Sequence, residues 1–252
     1  MRGLKDKVGI VAGAGRGIGA ATVRRLAAEG AAVVVGDIRE AEARSVADEI
    51  NNAGGRALAV AMDITDEKSV AELVQKAVSA FGGLDFFHAN AAGGTEGDVD
   101  ALNCPLEVFD KSVAINMRSH LICTQQALPA LLERGGGAMV YTSSGAAYGG
   151  APWQVAYPMA KNGLHALMRH VAARWGKENI RANVVAPGVV LTEAVREHLT
   201  DEYVEQALAR VPSTRLGQPD DIAGMVAFLV SDDGQWINGQ VFSVNGGAAM
   251  RD

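Results

Sequence analysis

Thiol chemistry is scarce in this sequence. Its two cysteines, Cys104 and Cys123, are not spaced as a metal site or a redox pair, so buried free thiols are expected. A basic surplus is missing as well. The formal net charge is −6, from 23 Lys and Arg against 29 Asp and Glu, and leaves no footprint for nucleic acid or an anionic membrane. Nowhere do about eighteen apolar residues follow one another, as a membrane span requires. The opening MRGLKDKVGIVAG likewise has no apolar stretch of signal-peptide length. No low-complexity segment, short-period repeat or metal-ligand cluster stands out. These absences point to a protein of the reducing cytoplasm with no metal, no membrane and no nucleic-acid partner. The 252 residues are 48% apolar and 21% charged, enough for a sizeable buried core. No composition break divides them, so residues 1–252 are expected to form a single domain.

An apolar run at residues 7–12 (KVGIVA) predicts a buried strand. It opens into Gly13-Ala14-Gly15-Arg16-Gly17-Ile18-Gly19 and then an alanine-rich helix to Glu29. Glycine at these points lets a backbone turn sharply and approach a pyrophosphate, while the helix start offers its free N–H groups to the anion. A second strand at 32–36 ends at Asp37, placed to accept hydrogen bonds from an adenosine ribose. Strand, glycine turn, helix, strand and acid together form a dinucleotide-binding fingerprint.

The alternation then continues. Strands are expected at 56–61, 84–89, 138–142, 180–186 and 238–244, with helices at 41–53 and 106–134 and within 151–177. Apolar faces at Val70, Leu73, Val74 and Ala77, and at Ile222, Met225, Val226 and Leu229, mark two more helices. The fold predicted is a Rossmann-like, doubly wound, parallel seven-stranded sheet with helices on both faces. Ligands bind such sheets at the C-terminal strand ends, where Asn90, Ser144 and Thr192 fall. A helical stretch at 193–212 lies just past that edge and reads as a substrate lid. His88, inside a strand, reads as a core histidine, and Asp63 as an N-cap or turn residue.

Tyr157 and Lys161 are four residues apart in a predicted helix and so share a face. A nearby cation favours the ionised phenol and would bring its pKa within working range. Pro158 fits only in a first helical turn, which sets the helix start a few residues earlier. Asn116 lies in a predicted helix among apolar Val113, Ile115 and Met117, which argues for burial and a hydrogen-bond partner.

Ser144 stands thirteen residues before Tyr157, and with Asn116 and Lys161 the pattern resembles the short-chain dehydrogenase/reductase family. The spacing of Gly13, Gly17 and Gly19 resembles its single-domain branch, and the likeness covers nearly the whole chain. It implies hydride transfer between a nicotinamide and a secondary alcohol or ketone. Tyr157 would be the acid/base, Ser144 would hold the substrate oxygen, Lys161 would bias the phenol and grip the nicotinamide ribose, and Asn116 would anchor a water relay. Cofactor contacts implied are Gly13, Arg16, Gly17, Ile18 and Gly19 at the phosphates, with Asp37 and Ile38 at the ribose. Asp63 and Ile64 would lie beside the adenine, and Asn90 and Ala91 along the ribose. Pro187, Gly188, Val190 and Thr192 would surround the carboxamide. Residues 89–92 are Ala-Asn-Ala-Ala where the family usually has Asn-Asn-Ala-Gly, a change that keeps the side chains small. Asp37 favours NAD over NADP, although Arg16 and Arg39 pull the other way. Tyr148, Trp153, Val189, Val195 and Leu199 would form a partly apolar substrate pocket. Relatives commonly form homotetramers through the two long helices and the last strand. Two alternatives are an NADPH-dependent 3-oxoacyl-thioester reductase and a non-catalytic dinucleotide sensor.

Overall fold

The computed structural model describes residues 1–197 and 200–250. Seven parallel strands form one sheet in the order β3-β2-β1-β4-β5-β6-β7. They are β1 (Val8–Ala12), β2 (Ala32–Asp37), β3 (Arg56–Ala61), β4 (Phe86–Ala89), β5 (Gly137–Thr142), β6 (Ile180–Pro187) and β7 (Val241–Val244). The helices are α1 (Gly17–Ala28), α2 (Glu40–Asn52), α3 (Glu67–Phe81), α4 (Leu106–Val113), α5 (Ser119–Glu133), α6 (Ala156–Trp175), α7 (Glu193–Arg196), α8 (Asp201–Ala209) and α9 (Pro219–Val230).

Both sheet faces are covered, so the central strands are largely apolar instead of alternating, with His88 and Thr142 among the polar exceptions. Successive side chains still leave opposite faces. Ile10, Val34, Phe87 and Met139 pack with Leu73, Leu131 and Leu164 of α3, α5 and α6. Val11, Val33, Phe86 and Val140 pack with Val23, Val46 and Val226 of α1, α2 and α9. Strand order reverses between β1 and β4, and there the strands end level, with Ala12 beside both Gly36 and Ala89. That reversal opens a crevice at the C-terminal edge. No helix among the described residues is long and apolar enough to cross a membrane.

Several element boundaries differ from expectation, each through a side chain that takes over a backbone bond. The expected helix at 106–134 is interrupted by a π-helical turn at Ala114–Arg118. Asn116 Nδ2 donates to the Ser112 carbonyl at 3.0 Å, capturing an acceptor that the helix would otherwise use. Strand β7 begins at Val241 and not near 238. Asn238 Oδ1 accepts from Ala182 N at 2.8 Å and Asn183 Oδ1 from Gln240 N at 3.0 Å, replacing ladder bonds there. The stretch after Thr192 holds two short helices, begun by Thr192 Oγ1 accepting from Val195 N and Thr200 Oγ1 from Tyr203 N, both at 3.2 Å. Leu199 lies outside the described residues. Asp63 is a turn residue, accepting from Thr65 N at 2.8 Å, while Asp66 caps α3.

Candidate active site

A cleft of about 900 Å³ runs along the C-terminal strand ends. Gly13, Arg16, Gly17, Ile18, Asp37, Ile38, Asp63 and Ile64 line one end, and Asn90, Ala91, Ser144, Tyr157 and Lys161 the middle. Pro187, Gly188, Val190 and Thr192 close it from the other side. Of the expected catalytic and cofactor residues, Gly19 and Asn116 stay off the wall. Gly19 matters for packing, since a Cβ there would collide with the Gly13 carbonyl. Gly13 has φ 82, and a Cβ on it would come within 2.7 Å of the Ala91 backbone, so glycine alone fits between β1 and β4.

At the glycine-loop end, Asp37 is 4% exposed. Its Oδ2 accepts from Gly15 N at 2.8 Å and its Oδ1 from Arg39 N at 3.0 Å, which fixes the carboxylate toward the loop. The Arg39 guanidinium is held by Glu42 at 2.9 Å. Ile38 is 68% exposed at the rim, an apolar side chain the core does not use. Gly17 N, at the start of α1, donates to Glu193 Oε2 at 3.1 Å. A carboxylate of this chain therefore sits on the positive end of the helix.

In the middle, Lys161 is fully buried and its Nζ donates to the Thr142 carbonyl at 2.8 Å. Desolvation lowers its pKa from 10.5 to about 7. Nζ lies 5.8 Å from the centroid of the Tyr157 ring. The phenol departs from the sequence expectation, because its pKa is raised and not lowered. Desolvation dominates, and a hydrogen bond with Ser144 only partly offsets it. The same burial disfavours the charge on Lys161, which does not offset the rise of the phenol.

The two serines separate clearly. Ser143 Oγ donates to the Lys161 carbonyl at 3.1 Å and meets His165 Nε2 at 2.9 Å, so it ties β5 to α6. Ser144 is left to face Tyr157. Asn116 is buried, and Gly93 clamps it: Nδ2 donates to Gly93 O at 2.7 Å, and Oδ1 accepts from Gly93 N at 3.3 Å.

Thr142 was not singled out from the sequence, yet it connects the site. Asn90 Nδ2 donates to Gly13 O at 2.9 Å, and Asn90 Oδ1 accepts from Thr142 Oγ1 at 3.1 Å. With its proton committed to Asn90, the Thr142 hydroxyl accepts from His88 Nε2 at 2.8 Å, which sets the His88 tautomer. Complete burial holds His88 neutral, with a pKa of about 3, as suits a core histidine. Its position at the last residue of a strand was the available signal for Thr142. Tyr148 and Trp153 do not belong to the cleft. Tyr148 packs at a tilt against His165 with ring centroids 5.1 Å apart, lining a separate cavity beside β7, and Trp153 is exposed. Val189 and Val195 line the cleft as expected, and Tyr203 joins them on its apolar wall.

Comparison with known proteins agrees with this architecture. A family model described as enoyl-(acyl carrier protein) reductase matches residues 13–249. The chain is 42% identical over 248 residues to an uncharacterized oxidoreductase of Mycobacterium tuberculosis, covering 98% of each. It is 36% identical over 247 residues to a 7alpha-hydroxysteroid dehydrogenase of Escherichia coli, covering 98% of this chain and 96% of the relative. An L-rhamnose 1-dehydrogenase (NAD(P)(+)) of Azotobacter vinelandii is 41% identical over 250 residues, with 97% of each covered. A solved structure of 7 alpha-hydroxysteroid dehydrogenase, in complex with NADH and 7-oxo glycochenodeoxycholic acid, superposes with a TM-score of 0.93 at 36% identity, covering 99% of this chain and 96% of that one. The chain belongs to the short-chain dehydrogenase/reductase family.

Proposed function

We propose that this protein is an NAD(H)-dependent oxidoreductase that interconverts a secondary alcohol and its ketone, with Tyr157 as acid/base. The observation that carries the reading is the convergence of Ser144, Tyr157 and Lys161 on one cleft whose far end holds the glycine loop and Asp37. The residues fit a dinucleotide. The first turn of α1 already receives an anion, the Glu193 carboxylate, which a pyrophosphate would displace from Gly17 N. Nicotinamide, when bound, supplies the hydride donor or acceptor. Ser144 donates a hydrogen bond to the substrate oxygen. Tyr157 takes the hydroxyl proton in oxidation and returns it in reduction. Lys161, beside it, holds the ribose, and Asn116 anchors the path by which the proton reaches solvent. Screening secondary alcohols with NAD, and ketones with NADH, tests this by absorbance of the reduced nicotinamide. The steroid, sugar and hydroxycyclohexanecarboxylate classes named for relatives are the first to try. Failure of every one to turn over would count against the reading.

Preference for NAD rests on Asp37. Its carboxylate is fixed by two backbone amides and cannot withdraw from a 2′-phosphate. Arg39 is engaged by Glu42, which leaves Arg16 as the one nearby cation without a hydrogen bond or ion pair among the described residues. About tenfold discrimination requires only about 1.4 kcal/mol. Wild type is therefore expected to favour NAD in kcat/KM, and Asp37→Ala to shift the ratio toward NADP by about tenfold or more. A ratio unchanged in the Ala variant would show that the arginines decide.

The thioester-reductase alternative draws on the description of the matching family model. An acidic acyl carrier needs a basic docking patch. Arg169, Arg174 and Lys177 offer one, but Arg174 is already paired with Glu178 at 3.3 Å. Alcohol oxidation remains the better-supported reading.

Assembly as a homotetramer is proposed on the same family grounds. β7 lies at the sheet edge, and Leu121, Leu132 and Met159 are exposed on α5 and α6. Light scattering is expected to exceed the 26.2 kDa of one chain severalfold, and a monomer at micromolar concentration would refute the assembly.

A further inference from the structure

The helix that carries Tyr157 has no cap of its own. Val155 precedes it and has no side-chain oxygen, yet the first amides of any helix lack intrahelical partners. Their destinations can be counted in full. Val155 N and Ala156 N donate to Asp98 Oδ1 at 3.0 and 2.9 Å, and Tyr157 N donates to Asp98 Oδ2 at 2.9 Å. Pro158 has no amide, and Met159 N begins the helical ladder on the Val155 carbonyl at 3.3 Å. A single carboxylate, 59 residues away in sequence, therefore satisfies every free amide of this turn.

Asp98 belongs to the irregular segment between β4 and α4. The same segment clamps Asn116 through Gly93 at its start. One strap thus holds two of the residues assigned to proton transfer. Burial opposes ionisation of Asp98, but the three backbone amides outweigh it and lower the pKa, so the carboxylate stays charged on the positive helix end. Lys161 is one turn further on and has its own anchor in the Thr142 carbonyl. A disturbance at Asp98 consequently reaches Tyr157 and spares Lys161.

We infer that Asp98 is a positioning residue for Tyr157, fixing the first turn of α6 so that the phenol meets the substrate oxygen. The inference rests on the acid/base assignment of Tyr157. Small misplacement of a reacting group costs up to about a hundredfold in rate. Asp98→Ala is expected to lower kcat by about 10- to 100-fold while the KM for NAD changes by less than about twofold. Asp98→Asn should recover part of the loss, because its one carbonyl oxygen can still accept from Val155 and Ala156 while its NH₂ opposes the Tyr157 amide. Asp100→Ala is the control. Asp100 serves only the strap, accepting from Leu102 N at 3.0 Å and Asn103 N at 3.2 Å, and its loss should leave kcat near wild type.

Amide hydrogen exchange supplies a readout independent of activity. Exchange at Tyr157 should accelerate in Asp98→Ala and stay unchanged in Asp100→Ala. A wild-type kcat in Asp98→Ala, an equal loss in both variants, or unaltered exchange at Tyr157 would each overturn the inference. If Asp98→Ala does not fold, the Asn variant carries the same comparison. A wild-type protein that oxidises no alcohol would instead defeat the functional reading, and the exchange experiment would still decide whether Asp98 holds the turn.

Discussion

Tyr157→Phe is expected to lower turnover by about a hundredfold or more while leaving the affinity for NAD nearly unchanged. The ring stays, and with it the packing against the cleft wall; only the transferable proton is removed. With Tyr157 in the proposed acid/base role, the raised pKa of the phenol would give the reaction a direction-dependent pH profile. At neutral pH the phenol is protonated and ready to donate, so ketone reduction needs no prior ionisation. Alcohol oxidation needs the phenolate, whose population grows as pH rises toward the phenol pKa. Oxidation by wild type should therefore accelerate from pH 7 upward, and reduction should not. The Phe variant should lose that contrast along with its rate. Turnover near wild type in Tyr157→Phe, or matching pH profiles in the two directions, would remove Tyr157 from the acid/base role.

Much of this site was legible in the sequence because its parts are local. The glycine loop, Asp37 and the Tyr157–Lys161 pair each announce themselves through spacing within one turn or one strand–helix unit. What sequence could not supply were the bonds made across the fold. Asp98 looks like any loop acid until α6 is placed beside it. Glu193 likewise reveals its contact with Gly17 only when the segment after β6 folds over α1. The π-turn escaped because apolar periodicity continues through it, while the cause, Asn116 capturing the Ser112 carbonyl, is a side-chain event. The direction of the phenol pKa is hidden from the sequence for a related reason. Sequence reports that a lysine is near, but not that burial has weakened its charge. Tyr148 and Trp153 lie close in sequence to Ser144 and Tyr157 but not beside the cleft. The chain turns between them, which sends one into a separate cavity and the other to solvent.

Lys161→Met should abolish turnover, by about a hundredfold or more, and at the same time stabilise the protein near pH 6. The two effects have one origin. Folding moves the ammonium from water, where its pKa is 10.5, into a site where it is about 7. Between those values the unfolded chain binds a proton that the folded chain has released, so stability rises with pH across that window. Below about pH 7 both states are charged, and the cost of the buried charge, on the order of a few kcal/mol, is fully present. Methionine fills similar volume without charge and loses one hydrogen bond to the Thr142 carbonyl, a smaller loss of about 1 kcal/mol. Denaturant melts at pH 6 should find the variant more stable than wild type, with the difference shrinking by pH 9 as the wild-type lysine releases its proton. A variant less stable at pH 6, or a difference independent of pH, would show that Lys161 is not held near neutrality in the folded protein. The comparison also separates the roles of the two residues. Tyr157→Phe changes no buried charge, so its melts should follow wild type at both pH values while its turnover collapses.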